Sequence, residues 1–198
     1  MTSVIYLSHP QVRIDKDVAV PNWSLSELGM ERAIHASKMP WVKSIDQIIS
    51  SDETKALETA QCFANALSLK YVIGEGMGEN DRSSTGFLPP DQFELAADCF
   101  MNRPYESFQG WERAIDAQTR IVTSVGTALK SHAKNKHILM VGHGGIGTLL
   151  KCHLANRKIA RTEDQPGNGG GNIFAFDLVT NLLLCDWMPM EEFEGISS

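Results

Sequence analysis

The run His137-Ile138-Leu139-Met140-Val141 restricts the fold more than any other segment of this chain. An extended backbone sends successive side chains to opposite faces, so a strand that is apolar at nearly every position has no face to give to water. Such a strand belongs inside a sheet covered on both sides. Residues 3–7 (SVIYL) have the same character, and shorter apolar runs recur at 47–49, 70–73, 173–176 and 182–185, the last expected at a sheet edge. Between these runs lie segments of helical period. Leu25, Leu28, Arg32, Ala33 and Ala36 mark one helix, with Ser24 or Ser26 as its cap, and Ala56, Leu57, Ala60, Phe63, Ala64 and Leu67 stripe a second. Trp111, Ala114, Ile115, Gln118, Ile121, Val125 and Leu129 outline a third, and residues 146–154 a fourth. Helices alternating with apolar strands predict an α/β fold, a three-layer α/β/α sandwich around a mostly parallel sheet.

Residues 74–103 break this rhythm. Glycines, acidic residues and the Pro89–Pro90 pair dominate, with one helix expected at 91–101. A stretch so long and so aperiodic reads as a functional loop or lid inserted in a single domain of residues 1–198. The formal net charge of −6 argues against an unspecific nucleic-acid binder, which needs a basic face. It leaves room for a small phosphorylated substrate held by a few local cations. No segment is long and apolar enough for a membrane span, and the amino terminus is too short for a signal peptide. Cys62, Cys99, Cys152 and Cys185 are scattered singly, as free thiols of a reducing cytosol would be. These features together predict a cytoplasmic protein without nucleic-acid or membrane partners.

Ligands of open α/β sheets sit beyond the carboxyl ends of the strands. Two histidines take such positions, His9 after the first strand and His143 after the run 137–141, within Gly142-His143-Gly144-Gly145. The glycines let a ligand approach the backbone and lead into a helix amino terminus, an anion site, so Gly144 is a candidate ligand contact. Two imidazoles around one anion suit nucleophilic phosphoryl transfer. His35, His132, His137 and His153 lie within or beside helices and carry no such expectation. Neither His9 nor His143 forms a ligand pair of helix-type close spacing with a nearby acid, so no metal and no cofactor is expected.

Four pieces then fall in a familiar order: Tyr6-Leu7-Ser8-His9, Trp23-Ser24-Leu25-Ser26-Glu27-Leu28-Gly29, Ser50-Ser51-Asp52-Glu53-Thr54-Lys55-Ala56-Leu57-Glu58-Thr59-Ala60, and Val141-Gly142-His143-Gly144-Gly145. Their order over residues 3–150 resembles the histidine phosphatase (phosphoglycerate mutase-like) superfamily. The resemblance implies that His9 is phosphorylated, that His143 lines the phosphate pocket, and that an acidic loop residue serves as general acid and base. Glu79 is the candidate acid, with Asp81 as its rival. Two departures stand out: Ser8-His9-Pro10 replaces the usual Arg-His-Gly, and Lys55 stands where an arginine is usual. A serine hydroxyl and a point-charge ammonium grip phosphate less firmly than a guanidinium fork, and Pro10 lacks an N–H. Arg13 and Arg82 are the candidate replacements beside Ser8 and Lys55. The glycine-rich segment 164–172 either cradles an anion or simply turns the chain into a strand.

The expected activity is metal-independent phosphomonoester hydrolysis through phospho-His9, on a small phosphorylated substrate or with inorganic phosphate as ligand. The alternative is a catalytically weak or inactive domain that binds a phosphorylated or anionic ligand. An exposed last strand would also allow a homodimer.

Overall fold

A computed structural model describes residues 2–132, 136–167 and 169–196. Its strands are Ser3–Ser8 (β1), Gln47–Ser50 (β2), Tyr71–Ile73 (β3), Ile138–Gly142 (β4), Asn172–Asp177 (β5) and Leu183–Pro189 (β6). Its α-helices are Glu27–Ala36 (α1), Thr54–Leu67 (α2), Pro90–Asn102 (α3), Ala114–His132 (α4) and Gly144–Leu154 (α5). All six strands form one sheet in the order β3-β2-β4-β1-β5-β6. The pairs β3–β2, β2–β4 and β4–β1 are parallel, while β5 runs antiparallel to both β1 and β6. One strand therefore opposes the other five, and the sheet is mixed but mostly parallel.

The two central strands explain why their sequences carry no polar face: every residue of β1 and of β4 is buried. Val4, Tyr6, Ile138 and Met140 point to one side, where Ala96, Phe100 and Met101 of α3, Ile121, Val125 and Leu129 of α4, and Ile146, Leu149 and Leu150 of α5 cover them. Ile5, Leu7, Leu139 and Val141 point to the other, against Ala36 of α1, Ala56, Ala60 and Phe63 of α2, and the short turn carrying Trp41 and Val42. Each such aliphatic side chain, moved wholly out of water, contributes about 1.5–3 kcal/mol. Two cores on opposite faces of one sheet give three layers.

Local signals set the helix ends. Ser26, not Ser24, caps α1, its Oγ accepting the Gly29 N–H at 3.0 Å. Helix α4 begins at Ala114, three residues later than its apolar stripe suggests. Trp111 stands outside the helix and anchors an aromatic extension of the same core, with Phe93, Phe100 and Phe108 around its ring and its indole N–H donated to Thr85 at 2.9 Å. That cluster fastens the aperiodic segment, and α3 within it, to the carboxyl end of the sheet. Among the described residues, no helix is long and apolar enough to cross a membrane.

Candidate active site

Ser8 of β1 pairs with Gly142 of β4, so the residue that follows each strand emerges beside its counterpart. The ladder extends one step further, with the His9 N–H donated to Gly142 O at 2.9 Å. The two imidazoles consequently meet edge to face, ring centroids 5.3 Å apart and planes at 72°. Gly142 has to lack a side chain, since a Cβ there would lie 2.2 Å from the Tyr6 hydroxyl. That hydroxyl accepts the His143 N–H at 3.1 Å and lies 3.2 Å from the His143 carbonyl, so Tyr6 holds the His143 peptide from beneath.

His9 lines a cavity of about 250 Å³ together with Glu79, Asn80, Arg82, Gly144, Gly145 and Arg161. Its Nδ1 lies 2.8 Å from the Pro10 carbonyl. A carbonyl only accepts, so Nδ1 carries the proton and Nε2 keeps its lone pair. Burial pushes the imidazole down to about 4, with the charge of Lys55 adding to the effect, so the ring is neutral near pH 7. His143 is wholly buried behind it. Its Nε2 sits 2.8 Å from Ser51 Oγ and 3.5 Å from Glu53 Oε1, while its Nδ1 has no partner among the described residues. Burial, then the nearness of His9, Lys55 and Arg82, drives its pKa well below the ordinary histidine value.

The Glu79 carboxylate occupies the amino terminus of α5, accepting N–H groups from Gly145 at 3.2 Å and Ile146 at 3.0 Å. This is the place where an anion was expected from the glycines after His143. Burial outweighs those hydrogen bonds and raises the Glu79 pKa, with Arg82 opposing the rise. Asp81 lies outside the cavity, exposed, its carboxylate accepting the Ser83 N–H at 2.9 Å and its pKa lowered by that contact.

The cations divide unevenly. Arg82 lies on the cavity wall, its guanidinium 4.9 Å from the centre of the Phe93 ring, and it has no ion pair among the described residues. Arg13 is exposed and off the wall. Lys55 is buried but turned to Glu53, with which it forms an ion pair, and to the Val20 carbonyl at 2.9 Å. Ser8 is buried and engaged by Gln165 Oε1 at 2.6 Å and the Asn172 backbone. Gly144 carries the Gln165 amide against it, where a Cβ would come within 1.9 Å of Nε2. The glycine-rich loop turns the chain and also packs on the backbone at the end of β1: the Gly171 N–H reaches Ser8 O at 3.2 Å and His9 O at 3.1 Å. Gly170, at φ +68°, has no room for a Cβ, which would meet His9 O at 2.1 Å.

Several residues here escaped sequence reasoning. Glu53 accepts the Glu79 N–H at 2.7 Å while pairing with Lys55, so one carboxylate ties the lysine, His143 and the acidic loop together. Its only signal is its place two residues before Lys55. Arg120 of α4 clamps the loop by donating to Gly76 O at 2.8 Å, Gly78 O at 2.9 Å and Glu79 O at 3.2 Å, with Glu112 balancing its charge. Asn80 lies on the cavity wall with a buried amide nitrogen that has no partner among the described residues. Arg161 is on the wall as well, held by Glu94, Asp98 and Asp164. No group of three or more His, Cys, Asp or Glu among the described residues is placed to hold a metal ion.

The sequence profile of the histidine phosphatase superfamily, branch 1, matches residues 10–178. No curated protein sequence matches the chain. Among solved structures, YhfR of Bacillus stearothermophilus superposes with a TM-score of 0.79 at 18% identity, covering 100% of this chain and 98% of its own. A phosphoserine phosphatase of Entamoeba histolytica, in complex with 3-phosphoglyceric acid, gives 0.74 at 19% identity over 94% and 96%. A mycobacterial glucosyl-3-phosphoglycerate phosphatase with inorganic phosphate gives 0.70 at 19% over 95% and 95%. At such identities these likenesses speak for the fold.

Proposed function

We propose that this chain, which belongs to the histidine phosphatase superfamily, hydrolyses phosphomonoesters through a phosphohistidine formed on His9. The observation that carries the reading is the edge-to-face pairing of a cavity-lining, Nδ1-anchored His9 with a His143 buried behind it, whose Nδ1 is unengaged among the described residues. The lone pair of His9 Nε2 attacks phosphorus while the bond from phosphorus to the ester oxygen breaks. Glu79, whose pKa burial raises, serves as the acid that gives its proton to that oxygen, and the alcohol leaves. Water then attacks the phosphohistidine, Glu79 takes a proton from it, and the P–N bond breaks to release phosphate. Ser51 Oγ accepts the Glu53 N–H at 3.3 Å, which favours its own proton pointing to His143 Nε2. In that tautomer His143 Nδ1–H, with Arg82 and the Asn80 amide, donates to the phosphoryl oxygens as charge builds on them. No step requires a metal.

A second reading has its own support. Ser8 and Lys55 are both tied to protein partners, and a carboxylate already sits on the helix terminus. These features favour a weak or inactive site that binds a phosphorylated or anionic ligand. Hydrolysis of 4-nitrophenyl phosphate by wild type and His9→Ala, from acidic to alkaline pH, separates the two. Turnover lost in His9→Ala, with phosphate trapped on protein by alkaline quench of the wild type, supports the hydrolase. Equal rates in both proteins refute it.

A further inference from the structure

The His9 cavity does not end at the site. A second hollow of about 270 Å³ adjoins it, and Val12, Arg82 and Phe93 line both. Its walls are Ile14 and Trp23 from the segment after β1, facing Phe87 and Leu88 from the segment before α3. The Trp23 indole N–H already donates to the backbone carbonyls of Asp15 at 2.8 Å and Val18 at 3.0 Å, so only its ring remains for a neighbour. Phe87 stands 6.1 Å from that ring, centre to centre. Ile14 lines the groove and leaves 56% of its surface in water. The charges at the wall are Arg82, which is shared with the His9 cavity, Glu94, which is paired with Arg161, and Lys16, whose ammonium stands 5.7 Å from the centre of the Phe87 ring.

A groove of this composition has almost nothing to offer the hydroxyls of a sugar, which would lose water without gaining hydrogen bonds. It suits a leaving group that gains by quitting water. We infer that the substrate is a phosphomonoester with an elongated apolar leaving group, its phosphoryl end at His9 and its tail running past Phe93 between Ile14, Trp23 and Phe87. The inference rests on the phosphoryl site of the proposed function, but groove occupancy can be read without catalysis.

The test is calorimetric affinity for n-alkylphosphonates from methyl to octyl, whose C–P bond resists hydrolysis, in wild type, Ile14→Ser and Phe87→Ser. Each methylene that enters the groove is expected to tighten binding about two- to fourfold until the groove is full. The variants flatten that slope and leave methylphosphonate binding as it was. Ile14 is surface-exposed, so its variant keeps the fold if Phe87→Ser does not. A naphthylmethyl phosphonate of similar apolar area shows whether a flat ring or a flexible chain is preferred. A flat alkyl series in wild type, octylphosphonate too weak to detect, or equal slopes in wild type and Ile14→Ser overturns the inference. A steep series in a protein that hydrolyses nothing upholds the groove and refutes the hydrolase reading instead.

Discussion

Replacing Glu53 with glutamine should strengthen phosphate binding while weakening the fold. The substitution is isosteric, and its carbonyl can still accept the Glu79 N–H now held at 2.7 Å. What changes is charge. Glu53 Oε1 lies 3.5 Å from His143 Nε2, on the side of the ring away from Nδ1. A phosphate oxygen bound at Nδ1 would sit about 8 Å from that carboxylate, across the ring and one hydrogen bond. At an effective dielectric of about 20, two unit charges at that separation repel by about 2 kcal/mol, so Glu53→Gln should tighten phosphate about 30-fold. The same change strips buried Lys55 of its counter-charge, at a cost of about 3 kcal/mol. For a chain of this size that lowers Tm by roughly 6–12 °C. The assay is calorimetric titration with inorganic phosphate well below Tm, alongside thermal denaturation with and without phosphate. Glu53→Gln/Lys55→Met is the control: with both charges gone, stability returns and most of the gain in affinity disappears. A folded Glu53→Gln protein that binds phosphate no better than wild type would refute the electrostatic reasoning.

The pH profile follows from the two shifted groups. Activity should fall on the acid side as a proton blocks His9 Nε2 near pH 4, and on the alkaline side as Glu79 ionises above the usual carboxylate range, giving a bell-shaped profile in kcat/KM. Glu79→Gln should remove the alkaline limb along with most of the rate, and an unaltered limb would assign it to another group. Ser8→Arg alone should destabilise the protein by about 1–3 kcal/mol, because the hydroxyl it replaces is packed against Gln165 and Asn172. If chemical denaturation shows no loss, the guanidinium has displaced Gln165 and found the cavity. Gly147→Ala sets a Cβ 2.5 Å from Tyr6 and 3.0 Å from Trp187, rigid rings that cannot swing aside, so a loss of about 1–3 kcal/mol is expected, read as a lower Tm.

The sheet was legible because burial on both faces leaves a mark in sequence: residues 137–141 have no polar alternation to misread. His9 and His143 were legible for a related reason, since a residue that ends a central strand is placed by backbone pairing alone. Glu79 was reachable only through the family resemblance, its loop having no periodicity. The remainder depended on contacts across large chain separations. Gln165 meets Ser8 over 157 residues, and Arg120 clasps a loop over 40 positions away while standing on the polar side of a regular helix. Nothing local distinguishes such an arginine from one that faces water. The apparent loss of phosphate-binding cations looks different once the pairings are known. Serine is part of a closed hydrogen-bond set, and Lys55 retains its charge but shares it with Glu53.

The separation of the two imidazoles is a property of the β1–β4 ladder. Ser8 opposite Gly142, and the His9 N–H on the Gly142 carbonyl, place the rings before any loop is built. The chain between them, more than a hundred residues long, is therefore free to be cut and rejoined. A circular permutant opened in the turn near Tyr105, a residue 72% exposed, should keep its imidazole geometry even if its rim is altered. Gene fusion or domain insertion at that point would leave the two imidazoles in register, and loops on either side can diverge without altering their spacing.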